Sequence, residues 1–495
     1  MSVTFFPPLF EQRQMWVLGV LRRENVKAVL DVGCGEGSLL IALCNPAPWL
    51  ATPDRDSAER FKILRVSHLH GLDISSHDLQ NTIVSTSPPS ESSREYAYYS
   101  RAIRWEPLQV QIWKGSLASV NKAFIGVESI VSTEVIEHLH DEELSKFAPI
   151  LLGVYHPRLL LITTPSYTFN ARFTAPKDGS QSMPSDEDSK VRDGGFLDPT
   201  RRSKRVFRHP DHKFEWTIRE FEEWCTNTAQ KWGYTVHTGG IGKPMEEDGW
   251  GRDSELGYAT QTAVFTRLDG AKHERLRAEN AREYLQGSRR GVELLATHYH
   301  VPHPAVTSPP QSNEMILELI KEEIDRGEDN KILLRYLWIE ERICCACSGR
   351  IGMLIGAINA AENVVRLHIT DPGALEDWVV ELIGSSKRRK ENLWEDRQDD
   401  DADTYNGVPD QETEDQLEEL EDIERENNDL REDVSMEPEE AIAPSGWRAW
   451  GVDSSNSGNW GFRADESSHG GWGAVNHCTG DGGWGREDVG SSWEV

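Results

Sequence analysis

The stretch STEVIEHLH, residues 132–140, brings together side chains that can do chemistry. Glu134, Glu137 and His138 are spaced i, i+3 and i+4, which places two carboxylates and one imidazole on one face of a helix or turn. Few structural roles need two like charges and a histidine crowded together. One structural role does exist, because carboxylates at a helix N-terminus are stabilised by the positive end of the helix dipole. The cluster alone therefore leaves a structural and a chemical interpretation open.

A glycine-rich turn comes earlier in the chain. The segment VLDVGCGEG, residues 29–37, has the pattern of an apolar strand that ends in this turn. Gly33 and Gly35 allow the backbone to approach a bulky ligand, and they allow the next helix to begin close by. Asp31, at the end of the strand, argues against a pyrophosphate and suits a cationic ligand. We predict that Asp31, Gly33 and Gly35 bind such a ligand.

A second acid strengthens this interpretation. Asp73 lies in GLDIS at the tip of the next predicted strand, where its carboxylate can bind both hydroxyls of an adenosine ribose. The two segments resemble motifs one and two of class I S-adenosylmethionine-dependent methyltransferases. The resemblance implies a Rossmann-like α/β fold, S-adenosylmethionine as cofactor, and contact with the adenine by Ser116 in the segment KGSL. The alternative is an α/β scaffold that binds no nucleotide.

A second group of histidines follows the predicted loop cluster. The segment FRHPDHKFEWT, residues 207–217, contains His209 and His212. Joined with Glu134, Glu137 and His138, one of these imidazoles would complete a four-ligand metal site with open positions for substrate oxygens. Carboxylate oxygens with imidazole nitrogens suit Mn²⁺ somewhat better than Mg²⁺, which prefers surroundings of oxygen alone. The alternative for His212 is a buried histidine with a structural hydrogen bond.

The order of elements predicts a parallel, doubly wound sheet. Apolar strand patterns in KAVLDV, HLHGLD, SIVST and RLLLITTP alternate with helical patterns such as SLLIALC. Two further strands, in YTVHTGGIG and YATQTAVFTR, are expected to close the domain near residue 269. The later segments EMILELIKEEI and ILLRYLWIEERI follow the 3.6-residue period of helices.

Composition divides the chain into four regions. We predict a methyltransferase-like domain at 1–270 with a flexible insertion at about 175–204, a helical extension at 271–386, a disordered acidic linker at 387–440 and a disordered Gly/Trp-rich tail at 441–495. The chain has a net charge of −30, but residues 391–495 hold 30 acidic and 6 basic residues. The acidity therefore belongs to the tail, and it does not exclude a polyanionic substrate in the folded part.

The cysteines and the lengths of the apolar runs predict where in the cell the protein is located. Seven scattered cysteines form no disulfide framework in a chain of 495 residues, which indicates reducing conditions. The CCAC stretch, residues 344–347, contains either buried helix cysteines or metal ligands. We expect no signal peptide and no membrane span, and a cytoplasmic location. The basic KRRK at 387–390 is either a solvated helix end or a nuclear-localisation or RNA-contact patch, so a nuclear location stays open.

Several of these segments together resemble one enzyme family. In chain order they are FFPPLFEQR, VLDVGCGEG, GLDIS, EVIEHL, TTPSYTFN, RHPDHKFEWT and GYATQTAVF, between residues 5 and 268. They look like the small-RNA 2′-O-methyltransferases of the Hua-enhancer (Hen) type. EVIEH-like segments also occur in small-molecule O-methyltransferases, whereas DHKFEW is more specific. The resemblance implies methylation of the 2′-oxygen on the 3′-terminal ribose of a small RNA in RNA silencing.

The resemblance also implies roles for particular residues. Two glutamates and two histidines of that family bind a divalent metal that bridges the 2′- and 3′-hydroxyls of the last ribose. Carried over, the ligands are Glu134, Glu137, His138 and His212, with His212 preferred to His209 because the motif centres on the DH pair. Catalytic roles are expected for His138, as general base, and for Glu134. No double-stranded-RNA-binding module is recognisable ahead of the domain, so we expect a single-stranded guide delivered by a partner.

The tail suggests a protein partner. Six tryptophans lie among small and acidic residues, and four of them recur at intervals of 12 or 13 residues: Trp447, Trp460, Trp472 and Trp484. Spaced GW and WG elements resemble the Argonaute-binding hooks of silencing proteins, in which several weak sites on one tether add through effective concentration. The alternative is a low-complexity tail without a specific partner. An Argonaute-binding scaffold with an idle domain, or a small-molecule O-methyltransferase, are the competing functions.

Overall fold

A computed structural model describes residues 2–45, 63–88, 103–174, 176, 195–285, 291–370, 375–384 and 460–461. The predicted acidic linker lies outside the described residues, as do all of the Gly/Trp-rich tail except 460–461, most of the predicted insertion at 175–204, and KRRK. The tryptophans at 447, 450, 472, 484 and 493 are likewise outside them.

The strands of the described residues are numbered in chain order. They are β1 (Ser2–Val3), β2 (Ala28–Val32), β3 (His68–Asp73), β4 (Leu108–Gly115), β5 (Ser129–Thr133), β6 (Leu159–Pro165), β7 (Phe196–Leu197), β8 (Val206–Phe207), β9 (Tyr234–Ile241), β10 (Thr260–Arg267), β11 (Val292–His300), β12 (Lys331–Leu333), β13 (Val365–His368), β14 (Val379–Leu382) and β15 (Trp460–Gly461).

The α-helices are numbered in the same way. They are α1 (Leu9–Arg23), α2 (Ser38–Cys44), α3 (Ser76–Ser85), α4 (Asp141–Ala148), α5 (Ile218–Trp232), α6 (Asp253–Leu256), α7 (Ala271–Leu285), α8 (Asn313–Arg326), α9 (Leu334–Ile339), α10 (Glu341–Ala346) and α11 (Ile351–Ala360). A π-helical turn, Pro149–Val154, continues α4, and a 3₁₀ turn, Ile136–His138, follows β5.

The large sheet has eight strands in the order β11-β4-β3-β2-β5-β6-β10-β9. The five central strands, β4 to β6 in this order, run parallel, whereas β10 is antiparallel to β6 and β9, and β11 is antiparallel to β4. The chain runs outward from β2 through β3 to β4 and then returns to β5 on the other side of β2. The strand order therefore reverses beside β2, where ligands bind in doubly wound sheets. The predicted α/β fold of the class I methyltransferase type is confirmed.

Apolar side chains cover both faces of this sheet. One face packs against α1, α2 and α3 through residues such as Leu21, Leu40 and Leu79. The opposite face packs against α4, α5 and α7 through residues such as Phe147 and Phe221. Strands β2 and β6 are buried almost throughout, which explains their near-continuous apolar sequences. The strands that carry the candidate site at their carboxyl ends are thus buried in the core.

The region predicted as a helical extension also contains strands. Helices α8 to α11 share an apolar core with a three-stranded sheet in the order β12-β14-β13. Strand β11 belongs to the large sheet, and Ala281 of α7 lies in the core of that sheet. Trp105 and Arg65 join the two parts, since Trp105 is buried in the later core and Arg65 Nη2 donates to Gly349 O. A boundary at residue 270 therefore passes through packed structure.

Three smaller findings complete the fold. Residues 195–204, the end of the predicted flexible insertion, form β7 and an ordered loop, and β7 pairs with β8. The backbone of Trp460–Gly461 pairs with Ser2–Val3 in a two-stranded sheet. Among the described residues, no helix has the length and apolar character needed to cross a membrane.

Candidate active site

The glycine turn joins β2 to α2 in a backbone shape that requires glycine. Gly33, Gly35 and Gly37 have φ angles of +76°, +51° and +83°. A β-carbon added at Gly33 would lie 2.4 Å from Val135 Cγ2, and one added at Gly37 would lie 2.8 Å from Thr82 Cγ2. The turn thus lies directly against the segment that carries Glu134 and Glu137. Cofactor loop and acid cluster are neighbours at one edge of the sheet.

The two predicted cofactor acids lie beside this turn. Asp73 ends β3, and its Oδ2 accepts a hydrogen bond of 2.9 Å from the Gly35 amide while its Oδ1 accepts one of 2.9 Å from the Ser75 amide. Asp31 in β2 is buried. Burial, and then the charge of Asp73, raises the pKa of Asp31 from 3.8 to about 7. Two crowded carboxylates with little solvent favour a cationic ligand.

Ser116 lies in the turn after β4, at the same end of the sheet. Its Oγ accepts a hydrogen bond of 3.1 Å from the Ala118 amide. Because β4 runs parallel to β3, Ser116 follows its strand on the side where Asp73 ends β3. The predicted position at the cofactor end of the sheet is compatible with this topology.

Sequence reasoning missed a third acid near the glycine turn. Asp78, in the first turn of α3, is 3% exposed, and its Oδ2 has no hydrogen-bond partner among the described residues. Its charge adds to the upward pKa shifts of Asp73 and Cys34, so it lies close to both. The available signal was the pattern S-x-x-D at 75–78, which is also an ordinary helix start, and the Ser75 side chain does accept from the Asp78 amide.

The loop cluster begins where β5 ends. Glu134 has a φ of +55°, which a residue with a side chain rarely adopts, and the 3₁₀ turn Ile136–His138 follows it. Glu137, His138 and His212 are buried, and each offers one ligand atom such that these atoms lie within 4.8 Å of one another. The rings of His138 and His212 have centroids 4.9 Å apart. Two distant segments thus meet in one compact group.

Glu134 stands beside this group and is held by other partners. Its Oε1 accepts a 2.9 Å hydrogen bond from Thr163 Oγ1, and its Oε2 lies 3.2 Å from Arg13 Nη1. Its charge nevertheless contributes to the pKa shift of Glu137, so the two carboxylates are close. In this structure Glu134 is not one of the three residues whose ligand atoms converge.

Glu137 is the most deeply buried acid of the cluster. Its Oε2 accepts a 3.0 Å hydrogen bond from Thr164 Oγ1, but its Oε1 has no hydrogen-bond partner among the described residues. Burial, and then the charge of Glu134, raises the pKa of Glu137 well above its ordinary value. For His138, burial and the neighbouring His212 and His209 lower the pKa to about 3. The imidazole of His138 is therefore neutral near pH 7, as a metal ligand must be.

Glu215, which sequence reasoning also missed, orients His212. Its Oε1 lies 2.7 Å from His212 Nδ1, and the carboxylate is fully buried. Glu215 also accepts hydrogen bonds from the Arg208 amide, at 2.8 Å, and from Asn170 Nδ2, at 2.6 Å. A carboxylate on one ring nitrogen fixes the tautomer and leaves the other nitrogen for a ligand. The signal was present in HKFE, an acid three residues after the histidine.

His209 occupies a different position from His212. It is only partly buried, its ring centroid is 6.2 Å from that of His138, and its Nδ1 accepts a 3.2 Å hydrogen bond from the Asp211 amide. His212 is 4% exposed, and its backbone neighbour Lys213 donates through its amide to Glu137 O at 2.8 Å. The structure thus groups His212, rather than His209, with Glu137 and His138.

The CCAC stretch lies in and after α10, far along the chain. Cys344 and Cys347 are buried in the later core, whereas Cys345 is partly buried. Cys345 Sγ lies 3.6 Å from His303 Nδ1, and His303 Nε2 lies 3.2 Å from Glu341 Oε1. Because His303 Nδ1 also accepts a hydrogen bond from the Ala305 amide, hydrogen bonds already account for this group.

Comparison with known proteins identifies relatives that share one description. No family model matches the chain. A curated small RNA 2′-O-methyltransferase of Xenopus tropicalis is 33% identical over 270 residues, covering 54% of this chain and 57% of that protein. Proteins of the same description from Drosophila melanogaster and Arabidopsis thaliana are 26% and 27% identical, over 54% of this chain in each case. The predicted resemblance to the small-RNA 2′-O-methyltransferases is confirmed.

The similarity to these small-RNA methyltransferases is partial in length. The chain spans 57%, 56% and 24% of the frog, fly and plant relatives. Among solved structures, a small RNA methyltransferase is 24% identical with a TM-score of 0.37, over 55% of this chain and 26% of that chain. The methyltransferase domain of a bacterial Hen-type protein is 27% identical with a TM-score of 0.34, over 53% of this chain and 100% of that chain.

Proposed function

We propose that this chain transfers the methyl group of S-adenosylmethionine to the 2′-oxygen of the 3′-terminal ribose of a small RNA. One observation carries the proposal: the buried group of Glu137, His138 and His212 lies against the glycine turn, through the contact of Gly33 with Val135. A cofactor loop beside a group of metal-ligating side chains suits an enzyme that must hold a diol next to a methyl donor. The similarity to named small RNA 2′-O-methyltransferases supports it.

The cofactor is proposed to bind between the glycine turn and the ends of β2 and β3. Gly33 and Gly35 keep side chains out of this space, and Asp73 accepts from two backbone amides while keeping further lone pairs for ribose hydroxyls. Asp31 and Asp78 add negative charge at the same edge, which favours the sulfonium and the amino group over a neutral or anionic ligand. Ser116 would close the adenine end.

The residues of the cluster also fit a divalent cation. A buried carboxylate oxygen without a donor, as at Glu137 Oε1, is unfavourable unless a cation satisfies it. Two imidazoles face the same space, and Glu215 orients one of them as carboxylates orient metal-bound histidines. Glu137, His138 and His212 would hold the ion, with Glu134 as the fourth ligand once its contact with Arg13 is released. This mixed set favours Mn²⁺ over Mg²⁺.

The roles of the chain's own residues follow from these positions. A divalent ion bound there would supply positive charge that polarises a ribose hydroxyl. Thr163 and Thr164 hold the carboxylates of Glu134 and Glu137 in place, and Glu215 holds His212. Because a coordinating imidazole has no free lone pair, His138 cannot be ligand and general base together. Its buried, neutral state supports the role of ligand.

The reaction itself is a methyl transfer. A bond forms between the 2′-oxygen and the methyl carbon while the bond from that carbon to sulfur breaks, leaving a neutral thioether, and the hydroxyl proton is released to solvent. The protein's contribution is to hold oxygen, carbon and sulfur in line and to exclude water. A site that binds both terminal hydroxyls would select a free 3′ end over internal sugars.

The decisive experiment compares two RNA ends. The protein, S-adenosylmethionine and Mn²⁺ are incubated with a short single-stranded RNA that ends in 2′,3′-hydroxyls, and with the same RNA lacking the terminal 2′-hydroxyl. We expect one methyl group per molecule on the first RNA and none on the second. Methylation of both RNAs, or of neither, would refute the proposal. Glu137→Gln should abolish transfer while S-adenosylmethionine still binds, whereas Glu142→Gln, on the exposed face of α4, should leave both unchanged.

A further inference from the structure

The segment 198–213, which leads into the candidate active site, is strongly basic. It carries six basic and two acidic residues in a chain whose net charge is −30. The basic residues are Arg201, Arg202, Lys204, Arg205, Arg208 and Lys213. A concentration of positive charge in an acidic protein is not required for solubility, and it suits a local polyanionic ligand.

The first part of this segment is an ordered loop. Strands β7 and β8 pair through Phe196 with Phe207 and through Leu197 with Val206. Between them, Asp198 accepts hydrogen bonds from the backbone and side chains of Thr200 and Ser203. Burial opposes ionisation, yet these hydrogen bonds lower the pKa of Asp198. The loop therefore presents its basic residues from a fixed backbone.

Contacts on both sides tie this loop to the catalytic cluster. Arg202 Nη1 pairs with the carboxylate of Asp141, three residues after His138. Arg205 makes two hydrogen bonds to Glu220, at 2.9 and 2.7 Å, and its guanidinium lies 4.6 Å from the ring centre of Tyr167. The chain then continues through β8 to Arg208, whose amide donates to the Glu215 that orients His212. These contacts attach the loop to the elements that surround the cluster.

Two basic side chains of the loop, those of Arg201 and Lys204, take no part in these contacts. Arg201 and Lys204 are exposed, and within the part of the chain that the structure describes neither contacts an acid. Arg202, Arg205 and Arg208, by contrast, are committed to carboxylates or carbonyls. Leu197 and Val206, which share one face of the β7–β8 pair, are also exposed, at 54% and 41%. The loop offers two free charges beside an apolar face.

We propose that Arg201 and Lys204 bind phosphates of the nucleotides that precede the 3′ end, and so hold the strand while its last ribose occupies the cluster. This inference rests on the proposed function and identifies residues that bind its RNA substrate. Phosphate contacts supply most of the sequence-independent affinity for nucleic acid and carry no base information. The site would therefore serve many RNA sequences, as an end-modifying enzyme requires.

The test measures binding separately from methylation. The ligand is a labelled single-stranded RNA that lacks the terminal 2′-hydroxyl, so that no turnover occurs, and its Kd is measured at several salt concentrations. The double variant Arg201→Glu, Lys204→Glu is compared with Arg350→Glu, Arg366→Glu, which makes the same charge change at two exposed arginines of the later region. We expect the loop variant to raise Kd about tenfold and to lower the salt slope by about 1.4.

Four outcomes decide the proposal. Equal Kd values for wild type and loop variant, or equal weakening in both variants, would overturn it. Weakening confined to the loop variant, with unchanged melting temperature and S-adenosylmethionine affinity, would support it, and Arg201→Lys, Lys204→Arg should restore binding. If wild type fails to methylate any RNA end but binds RNA through these two residues, the phosphate site stands and the proposed reaction fails.

Discussion

His212 Nδ1 and Glu215 Oε1 lie 2.7 Å apart in the interior, and this contact fixes the imidazole that joins Glu137 and His138. Glu215→Gln should therefore lower the affinity for Mn²⁺ about 10- to 100-fold, because the ligand loses its orientation and basicity. Calorimetric titration of the metal-free protein with Mn²⁺ measures this. Glu222→Gln, an exposed position of α5, is the control. An unchanged Kd in Glu215→Gln would show that the contact is only structural.

Replacing Glu137 should stabilise the folded protein and abolish its activity. Its carboxylate is fully buried with one unpartnered oxygen, so a neutral amide costs less to bury. Glu137→Gln should raise the free energy of unfolding of the metal-free protein by about 1–3 kcal/mol while abolishing methyl transfer. Urea denaturation in the presence of a chelator gives the first quantity. A loss of stability in this variant would show that the native carboxylate is satisfied without a cation.

Cofactor affinity should depend on pH through Asp31. Its pKa of about 7 means that the carboxylate ionises only as pH rises through that value, and the ionised form attracts the sulfonium. The Kd of S-adenosylmethionine should therefore fall about tenfold as the pH rises through about 7, because the ionised carboxylate makes a charge-assisted contact with the cofactor. Asp31→Asn should bind weakly at all these pH values, whereas Asp329→Asn should behave as wild type. A pH-dependent Kd in Asp31→Asn would assign the titration to another group.

The same residue links pH to folding. Native Asp31 keeps its proton up to about 7, whereas the unfolded chain releases it near 3.8. Because the native state then holds more protons, the ligand-free protein should lose stability as pH rises from 3.8 to about 7. Asp31→Asn should flatten this part of the stability curve. An identical curve in the variant would contradict the assignment.

The Gly/Trp-rich tail gives a prediction that rests on sequence alone. Replacing Trp447, Trp460, Trp472 and Trp484 by alanine should weaken capture of the chain by Argonaute while leaving methylation of naked RNA unchanged, since several weak sites on one tether act together. Deleting residues 391–440 of the acidic linker is the control, because it removes charge and retains the tryptophans. Undiminished capture by the four-alanine variant would leave the tail without this partner.

The sequence was informative where one local pattern determined one element. The strands β2, β3, β5, β6, β9 and β10 were all predicted, because their apolar runs are followed by glycine, acid or proline turns. Strand β4 was not, although Pro107 precedes it and Leu108, Val110 and Ile112 alternate, because polar residues at the positions between them interrupt the apolar run. Strands β11 to β14 were missed for another reason. The helical periods in the same region led to the prediction of a helical extension at 271–386.

The candidate site shows the same limit. Glu134, Glu137 and His138 share one short motif, so their proximity could be predicted from spacing. Their relation to His212 needed a resemblance, because His212 lies 74 positions after His138 and only the fold brings the two together. The sequence could not show that Glu137, rather than Glu134, lies with the imidazoles, because this depends on the partners of each side chain. Thr163 and Arg13 engage Glu134, and these partners come from other strands and helices.

Strand β11 has a consequence for how the chain can be divided. It lies beyond the end predicted for the first domain, yet it forms an outer edge of the large sheet, where eight of its nine residues, from Val292 to His300, pair with β4. A fragment that stops after β10 would leave the amides and carbonyls of β4 open to solvent, and such an edge invites pairing with another copy. The edge of β4 is therefore covered only when the chain extends through β11. A fragment that keeps this edge covered must extend at least to His300, beyond the boundary predicted at residue 270.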